Sequence, residues 1–281
     1  MICIKDLYFQ YKDSDRFALN NISLQINEGE FVGVIGSSGS GKTTLTNVIN
    51  GVVPHYYDGD FYGSATVGGL DTVTATPVQL SQMVGSVFQD IDGQMVSSVV
   101  EDELLFGLEN FGVPRAEIEQ RIEDALATVG ISDLRYRTIF SLSGGQKQKV
   151  AIAAIAALRP KLLVLDEPTG ELDPKSSRMI FDMLKKLNSE FGMTILIVEQ
   201  KIMLLCEYVK RLLVMDQGTV LFDGDVHKVL ENSDELRRVG VNVPRVTSLA
   251  NILRGKGLYS GPQPANVDEA ETMVREVLPH A

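Results

Sequence analysis

The sequence has few cysteines and no long hydrophobic run. Its 281 residues include Cys3 and Cys206, which lie too far apart along the chain to indicate a disulfide framework. We therefore expect a reducing compartment, with both cysteines packed as small hydrophobic residues. The longest apolar run, Val150 to Leu158, falls far short of the roughly 20 residues that cross a bilayer. The first ten residues contain no long apolar segment, so we expect no signal peptide, and a membrane role would require a partner protein.

Positive charge is also scarce. There are 26 Lys and Arg against 37 Asp and Glu, which gives a formal net charge of -11. Because an acidic surface repels phosphates, we expect no nucleic-acid partner. Hydrophobic residues make up 44% of the chain, an ordinary globular composition that is enough for one large domain, or for a domain with an appendage.

Short apolar runs alternate with amphipathic stretches along most of the chain. Phe31 to Ile35, Leu162 to Leu165 and Thr194 to Val198 have the pattern of strands buried on both faces. The stretch 117–129 has helical spacing, and the whole region of about 90–158 is predicted to be mostly helical. Strands that alternate with helices predict an α/β fold with a largely parallel core sheet.

The composition changes after about Glu231. Gly261-Pro262-Gln263-Pro264 reads as a linker-like break within this last part of the chain. We therefore expect two units: a main domain over residues 1–230 and an appended helical extension over 231–281.

A glycine-rich loop follows the first buried strand and precedes a helix predicted from Lys42 to Asn50. The loop fits the pattern G-x-x-x-x-G-K-[ST], with Gly36, Ser37, Ser38, Gly39, Ser40, Gly41, Lys42 and Thr43. Backbone N–H groups of such a loop surround a phosphate, and the helix N-terminus adds partial positive charge. We expect Lys42 to contact the β- and γ-phosphates of ATP, Thr43 to bind Mg²⁺, and Thr44 to belong to the same nucleotide site.

A carboxylate pair ends a second buried strand. Leu162 to Leu165 is followed directly by Asp166 and Glu167. We expect Asp166 to reach the Mg²⁺ ion and Glu167 to act as the general base for a water near the γ-phosphate. The alternative for the pair by itself is helix capping, which the glycine-rich loop earlier in the chain makes less favourable.

Leu142-Ser143-Gly144-Gly145-Gln146 is the third motif. Ser143 is expected to be the N-cap of a helix that runs to Leu158. An exposed helix N-terminus of this kind can bind an anion. Taken by itself, the motif also fits an ordinary capped helix with a flexible start.

In their order, these three motifs resemble the ATP-binding cassette (ABC) ATPases, over residues 1–230. The resemblance implies a RecA-like core sheet, an N-terminal antiparallel β subdomain, a helical signature subdomain at about 90–158 and a helical C-terminal extension. It also implies that two cassettes pack head to tail. ATP is then held between the P-loop of one chain and Ser143, Gly144, Gly145 and Gln146 of the other.

Further positions are assigned by the same resemblance. Tyr11 corresponds to the aromatic residue that stacks on adenine, although a plain strand residue is the alternative. Gln89 corresponds to the glutamine that contacts Mg²⁺ and responds to the membrane partner. Asp173 corresponds to the aspartate that crosses the dimer interface, although Asp173-Pro174 also fits a helix start with proline at its first position.

Two positions depart from the family pattern. Gln200 stands where the family usually has a histidine that contacts the γ-phosphate. Because glutamine can donate a hydrogen bond but cannot become cationic, the turnover of this site is expected to differ from that of its relatives. Glu171 replaces a residue that is usually small, which is expected to alter the interface contact.

Several stretches are similar to the ATPase subunits of energy-coupling factor (ECF) transporters. They are Asn50 to Gly59, Gln89 to Val96, Val99 to Glu103, Phe106 to Asn110 and Val243 to Ala250. This similarity implies a cytosolic ATPase pair, of identical or homologous chains, on a membrane coupling subunit. A small membrane protein would capture a vitamin or a metal ion, and the C-terminal extension would help to hold the pair together.

Three other functions remain as alternatives. One is the ATPase of an ordinary ABC importer. The second is an ABC protein of DNA repair, chromosome structure or translation, although no heptad tract separates the P-loop from Ser143. The third is a binding module that does not hydrolyse ATP.

Overall fold

The computed structural model describes residues 1–278, and its strands form two sheets. The N-terminal sheet is antiparallel, in the order β2-β1-β4-β5, and consists of β1 (Ile2–Tyr11), β2 (Leu19–Ile26), β4 (Gly59–Val67) and β5 (Leu70–Asp71). The larger sheet has the order β10-β9-β3-β8-β7-β6. Its strands are β3 (Phe31–Gly36), β6 (Val84–Val87), β7 (Leu162–Asp166), β8 (Thr194–Val198), β9 (Arg211–Asp216) and β10 (Thr219–Asp225).

Helices cover the larger sheet and form the middle and the end of the chain. They are α1 (Lys42–Ile49), α2 (Val52–His55), α3 (Pro77–Ser81), α4 (Ile91–Gln94), α5 (Val100–Asn110), α6 (Arg115–Val129), α7 (Gly144–Ala157), α8 (Pro174–Phe191), α9 (Ile202–Tyr208), α10 (Val226–Glu231), α11 (Ser233–Arg238), α12 (Arg245–Gly255) and α13 (Val267–Val277). Short 3₁₀ turns lie at Ser132–Leu134 and Ile139–Ser141. The α/β fold with a helical middle region is confirmed.

The core of the larger sheet is parallel. Strands β6, β7, β8, β3 and β9 run in one direction, and β10 pairs with β9 as an antiparallel hairpin. Every residue of β7 and β8 is buried, as their continuous apolar runs predict. Parallel strands end at the same edge of a sheet. The loops that follow β3, β6, β7 and β8 therefore meet at one edge.

The helical middle region differs from the prediction mainly at its element ends. Helix α7 begins at Gly144, directly after its expected N-cap Ser143, and ends at Ala157 rather than at Leu158. Buried residues of α5, α6 and α7 join the same core as the parallel sheet, among them Leu104, Ile122 and Val150. The third motif, Leu142 to Gln146, is the signature motif of the cassette, and it is thus held at the start of a helix anchored in the main core.

The C-terminal part packs in two different ways. Val229, Leu236 and Val241 belong to the large core, whereas α12 and α13 form a separate small cluster around Ala250 and Met273. The segment 261–264 has no regular secondary structure, as the predicted break requires. Even so, Gln263 is 1% exposed, and it donates a hydrogen bond to the carbonyl of Thr247, so the segment is packed. The division of the chain at residue 230 stays a prediction.

No helix within residues 1–278 is both long enough and apolar enough to cross a membrane.

Candidate nucleotide site

The P-loop connects β3 to α1 and lies close against neighbouring backbone. Gly41 has a φ of 102°, and a side chain there would meet the carbonyl oxygen of Ala18 at 2.5 Å. Gly39 also has a positive φ, 75°, but a side chain there would meet nothing within 4 Å. Packing therefore requires glycine at Gly41, and the positive φ favours glycine at Gly39. Gly39 lies on the open side of the loop, where a phosphate would bind.

Lys42 points its ammonium group into this loop. Its Nζ donates hydrogen bonds to the carbonyl oxygens of Gly36, at 2.9 Å, and Ser37, at 2.8 Å, and lies 3.5 Å from the hydroxyl of Ser40. Burial lowers the pKa of Lys42, and the nearby carboxylates of Glu167 and Asp166 oppose that shift. The Lys42 side chain, 7% exposed, is therefore largely shielded from water at the position where the motif predicts phosphate.

Asp166 and Thr43 meet where β7 ends beside α1. The Thr43 hydroxyl lies near the Asp166 carboxylate. Burial raises the pKa of Asp166, and the neighbouring Thr43 hydroxyl opposes the rise. A buried carboxylate next to a hydroxyl fits Mg²⁺, which prefers oxygen ligands and would offset the burial of the negative charge.

Glu167 and Gln200 are joined directly, although 33 residues separate them. Glu167 has a φ of 50°, a left-handed conformation that is unusual for this residue type. Its backbone N–H bonds to the carbonyl of Val198, at the end of β8. The Gln200 Nε2 then donates to the Glu167 Oε1 at 2.7 Å, so the expected general base and the residue in the histidine position touch.

Tyr11 lies at the end of β1, beside α1. Its hydroxyl is 3.1 Å from the hydroxyl of Thr44, and its ring packs edge-on against Phe9 and Tyr57. The ring is only partly buried. Tyr11 is thus attached to the P-loop helix, and its contact with adenine stays a prediction.

A cavity of about 810 Å³ opens beside this edge of the sheet. Its lining includes Gln89, Gly144, Glu167, Glu171 and Gln200. Gln89 and Glu171 are exposed, and they approach the cavity from the loops that follow β6 and β7. The structure thus brings the predicted Mg²⁺ residue Gln89 to the same cavity as Glu167.

The rest of the signature motif faces elsewhere. Ser143, Gly145 and Gln146 line a different pocket, of about 220 Å³, together with Ser176. Ser143 is the N-cap of α7, as expected, and Gln146 completes a capping box by accepting a hydrogen bond from the Ser143 N–H at 2.9 Å. This second role of Gln146 was missed, although the Ser-x-x-Gln spacing indicates it.

Asp173 caps the next helix. Its carboxylate accepts hydrogen bonds from the backbone N–H groups of Lys175 and Ser176 and from the Ser176 hydroxyl, and Pro174 is the first residue of α8. These bonds, chiefly those from Ser176, lower the pKa of Asp173. Within one chain, Asp173 is thus a helix cap, and its interface role stays a prediction.

Two charged neighbours of Gln200 were not singled out from the sequence. Glu199 is 1% exposed and accepts hydrogen bonds from the Thr169 N–H and hydroxyl. Lys201 donates to the carbonyl oxygens of Thr169 and Leu172. The position of Glu199 and Lys201 directly after a buried strand could have marked them as candidate site residues. Their hydrogen-bond partners, however, depend on the fold.

Comparisons with known proteins agree with this arrangement. The family model described as ABC transporter matches residues 19–170, more than half of the chain. The energy-coupling factor transporter ATP-binding protein EcfA1 of Clostridium perfringens is 36% identical over 96% of this chain and 95% of its own length. The chain spans between 40% and 45% of the length of five longer relatives.

Two solved structures are similar. The structure of cbiO1 from Clostridium perfringens, part of the ABC transporter complex cbiONQ, has a TM-score of 0.76 and 32% identity, covering 89% of this chain and 98% of that one. The ATP-binding cassette MJ0796, in a dimeric post-hydrolysis state bound to ADP and Pi, has a TM-score of 0.70 and 28% identity, covering 80% of this chain and 99% of that one. The chain therefore belongs to the ABC transporter ATP-binding family and is an ATPase.

Proposed function

We propose that this chain is the ATP-hydrolysing subunit of an ECF-type importer for a vitamin or a metal ion, bound at the cytoplasmic face of the membrane. The observation that carries the proposal is the direct Gln200–Glu167 contact beside the P-loop, in a chain whose relatives include EcfA1 and cbiO1. EcfA1 matches over 96% of this chain, and cbiO1 over 89% of it.

In the proposed reaction, Lys42 and the P-loop N–H groups bind the β- and γ-phosphates of ATP. Thr43, Gln89 and Asp166 hold Mg²⁺, which supplies charge neutralisation when it is bound. Gln200 orients Glu167. Glu167 takes a proton from a water molecule while the oxygen of that water attacks the γ-phosphorus. The bond from the γ-phosphorus to the β–γ bridging oxygen breaks, and ADP leaves with the bonding electron pair.

The signature residues support the pairing of two cassettes. Ser143 and Gly144 are exposed at the start of α7, where the helix N-terminus carries partial positive charge. Ser143, Gly145 and Gln146 line a pocket separate from the cavity that contains Glu167. Their anion site is therefore proposed to serve the ATP of a second cassette, identical or homologous, as in the dimeric MJ0796 structure.

Gln89 and α4 support a membrane coupling subunit as the next partner. They lie between β6 and α5 at the surface, and the Lys147 ammonium of α7 bonds to Asp92 of α4 at 2.6 Å. A movement of α4 would therefore reach the signature helix. The captured solute would bind to a small membrane subunit and never touch this chain.

Copurification tests the proposal. A tagged copy of this chain is purified in mild detergent from membranes of the organism that encodes it. We expect it to copurify with a second cassette, a coupling subunit and a small substrate-binding membrane protein. Recovery of two large permease subunits instead would favour an ordinary ABC importer. Recovery from the cytosol with no membrane protein after crosslinking would contradict a role in transport.

A further inference from the structure

A cluster of buried polar side chains lies behind the loop of residues 168–173. Thr169 and Ser177 are 0% exposed, and Glu199 is 1% exposed. Lys201 is partly buried beside them. Buried polar groups lower stability unless they are hydrogen-bonded, so their partners define what the cluster holds in place.

Glu199 joins the loop to the end of β8. Its Oε1 accepts the Thr169 hydroxyl at 2.6 Å and the Thr169 N–H at 2.9 Å. Its Oε2 accepts the backbone N–H of Gln200 at 3.1 Å. The backbone of the residue that contacts Glu167 and the backbone of Thr169 are thus attached to one carboxylate.

Lys201 joins the same segment to the far end of the loop. Its Nζ donates to the carbonyl oxygens of Thr169, at 2.5 Å, and Leu172, at 2.7 Å, and to the Ser177 hydroxyl, at 2.9 Å. That hydroxyl in turn donates to the carbonyl oxygen of Asp173 at 2.9 Å. The Lys201 ammonium group thus uses all three of its donors, two on loop carbonyls and one on the adjoining Ser177 of α8.

These bonds form a continuous path from the hydrolytic centre to the surface. At one end, Gln200 contacts Glu167. At the other end, Asp173 is fully exposed at the start of α8. Between them, the loop contains Gly170, which imposes little conformational restraint of its own, so its shape depends on these bonds.

We propose that Lys201 is a positioning residue that fixes the 168–173 loop against Gln200 and so couples this ATP site to that of the second cassette. The inference rests on the pairing of cassettes proposed above. A binding event at one site can change the other only if a shared element connects them. Here that element is the loop held by Glu199 and Lys201.

The variant that tests this is Lys201→Met in the full-length protein. Methionine keeps the length of the side chain and removes all three donors. Two measurements follow: the Hill coefficient of ATP hydrolysis, and the ATP concentration that drives dimer formation in a Glu167→Gln background, followed by sedimentation. Lys186→Met, an exposed lysine on α8, is the matched control, and Lys201→Arg is the conservative variant.

Lys201→Met is expected to reduce the Hill coefficient towards 1 and to raise the ATP concentration for dimer formation about fivefold or more, the lower end of common coupling effects. ATP affinity measured on dilute monomer should stay at the parent value. Lys201→Arg should restore part of the cooperativity, and Lys186→Met should behave as the parent.

Other outcomes would overturn the inference. Lys201→Met with the parent Hill coefficient and dimer formation would show that the loop needs no cation. Equal loss in Lys201→Met and Lys201→Arg, together with equally lowered melting temperatures, would show a purely structural role. A parent protein that never dimerises with ATP would instead contradict the pairing itself, and the coupling with it.

Discussion

Lys42 and Asp166, on the P-loop side of the chain, are 7% and 8% exposed, whereas Ser143 and Gly144, at the start of α7, lie at the surface. The charged groups of the first pair are buried and are held by contacts within the chain. Lys42 bonds to loop carbonyls, and Asp166 lies beside Thr43. The second pair has a satisfied helix cap and an open face.

The difference indicates a division of labour between the two sides. On the P-loop side, the contacts of Lys42 and Asp166 come from residues of the same chain. The signature side offers a helix N-terminus, and Ser143, Gly145 and Gln146 there line a pocket separate from the Glu167 cavity, which Gly144 alone of these residues borders. Variants on the first side should therefore impair binding or chemistry within one chain, and variants on the second should impair only the paired state.

The largest effect is expected from Lys42→Ala. Removing a buried, hydrogen-bonded charge that faces phosphates should cost about 2–5 kcal/mol of binding, which is about 30-fold to several-thousand-fold in affinity. Equilibrium binding of a fluorescent ATP analogue measures this loss. Lys186→Ala, on the surface of α8, is the control, and normal affinity in Lys42→Ala would refute the P-loop assignment.

Glu167→Gln should retain ATP binding and slow hydrolysis by about 10²–10⁴-fold, the usual contribution of a general base. The amide keeps an oxygen that can accept the Gln200 hydrogen bond, so the loop geometry should persist. Single-turnover phosphate release measures the rate, and sedimentation should show an ATP-bound dimer. Unchanged turnover would mean that another group activates the water.

Gln200 is expected to have a smaller effect. Gln200→Ala removes the hydrogen bond to Glu167, whose net value of about 0.5–1.5 kcal/mol corresponds to a loss of about 2- to 10-fold in rate. Gln200→His should raise the rate. It places histidine where the family usually has one in contact with the γ-phosphate, and a cationic donor bonds phosphate about twice as strongly as a neutral one.

Steady-state ATPase assays of the assembled complex compare the two variants at Gln200. If Gln200→Ala turns over like the parent, Gln200 is a bystander, whatever its contact with Glu167.

Ser143→Ala should have the smallest effect on the isolated chain. Loss of the cap should cost about 1 kcal/mol and lower the melting temperature by about 2–4 °C. Thr76→Ala is the matched control, because Thr76 is the N-cap of α3 in a second capping box. Both variants should lose similar stability, but only Ser143→Ala should reduce cooperative hydrolysis. Equal ATPase activity in the two would leave Ser143 a cap and nothing more.

Much of the fold could be predicted because the pattern was local. The run Thr194 to Val198 gives the bounds of β8 as observed, and Ser143 marks the start of α7. Gln263 was taken for part of a break, because burial of a loop residue depends on distant partners such as Thr247.

The sequence by itself determined the family, the P-loop, and the carboxylate pair, because each is a short run of residues whose chemistry depends on spacing along the chain. Only the tertiary structure decided which residues meet across the sheet edge. The Gln200–Glu167 contact and the bonds of Lys201 to the 168–173 loop join segments about 30 residues apart. The parallel pairing of β7 with β8 brings those segments together, and no local pattern states that pairing.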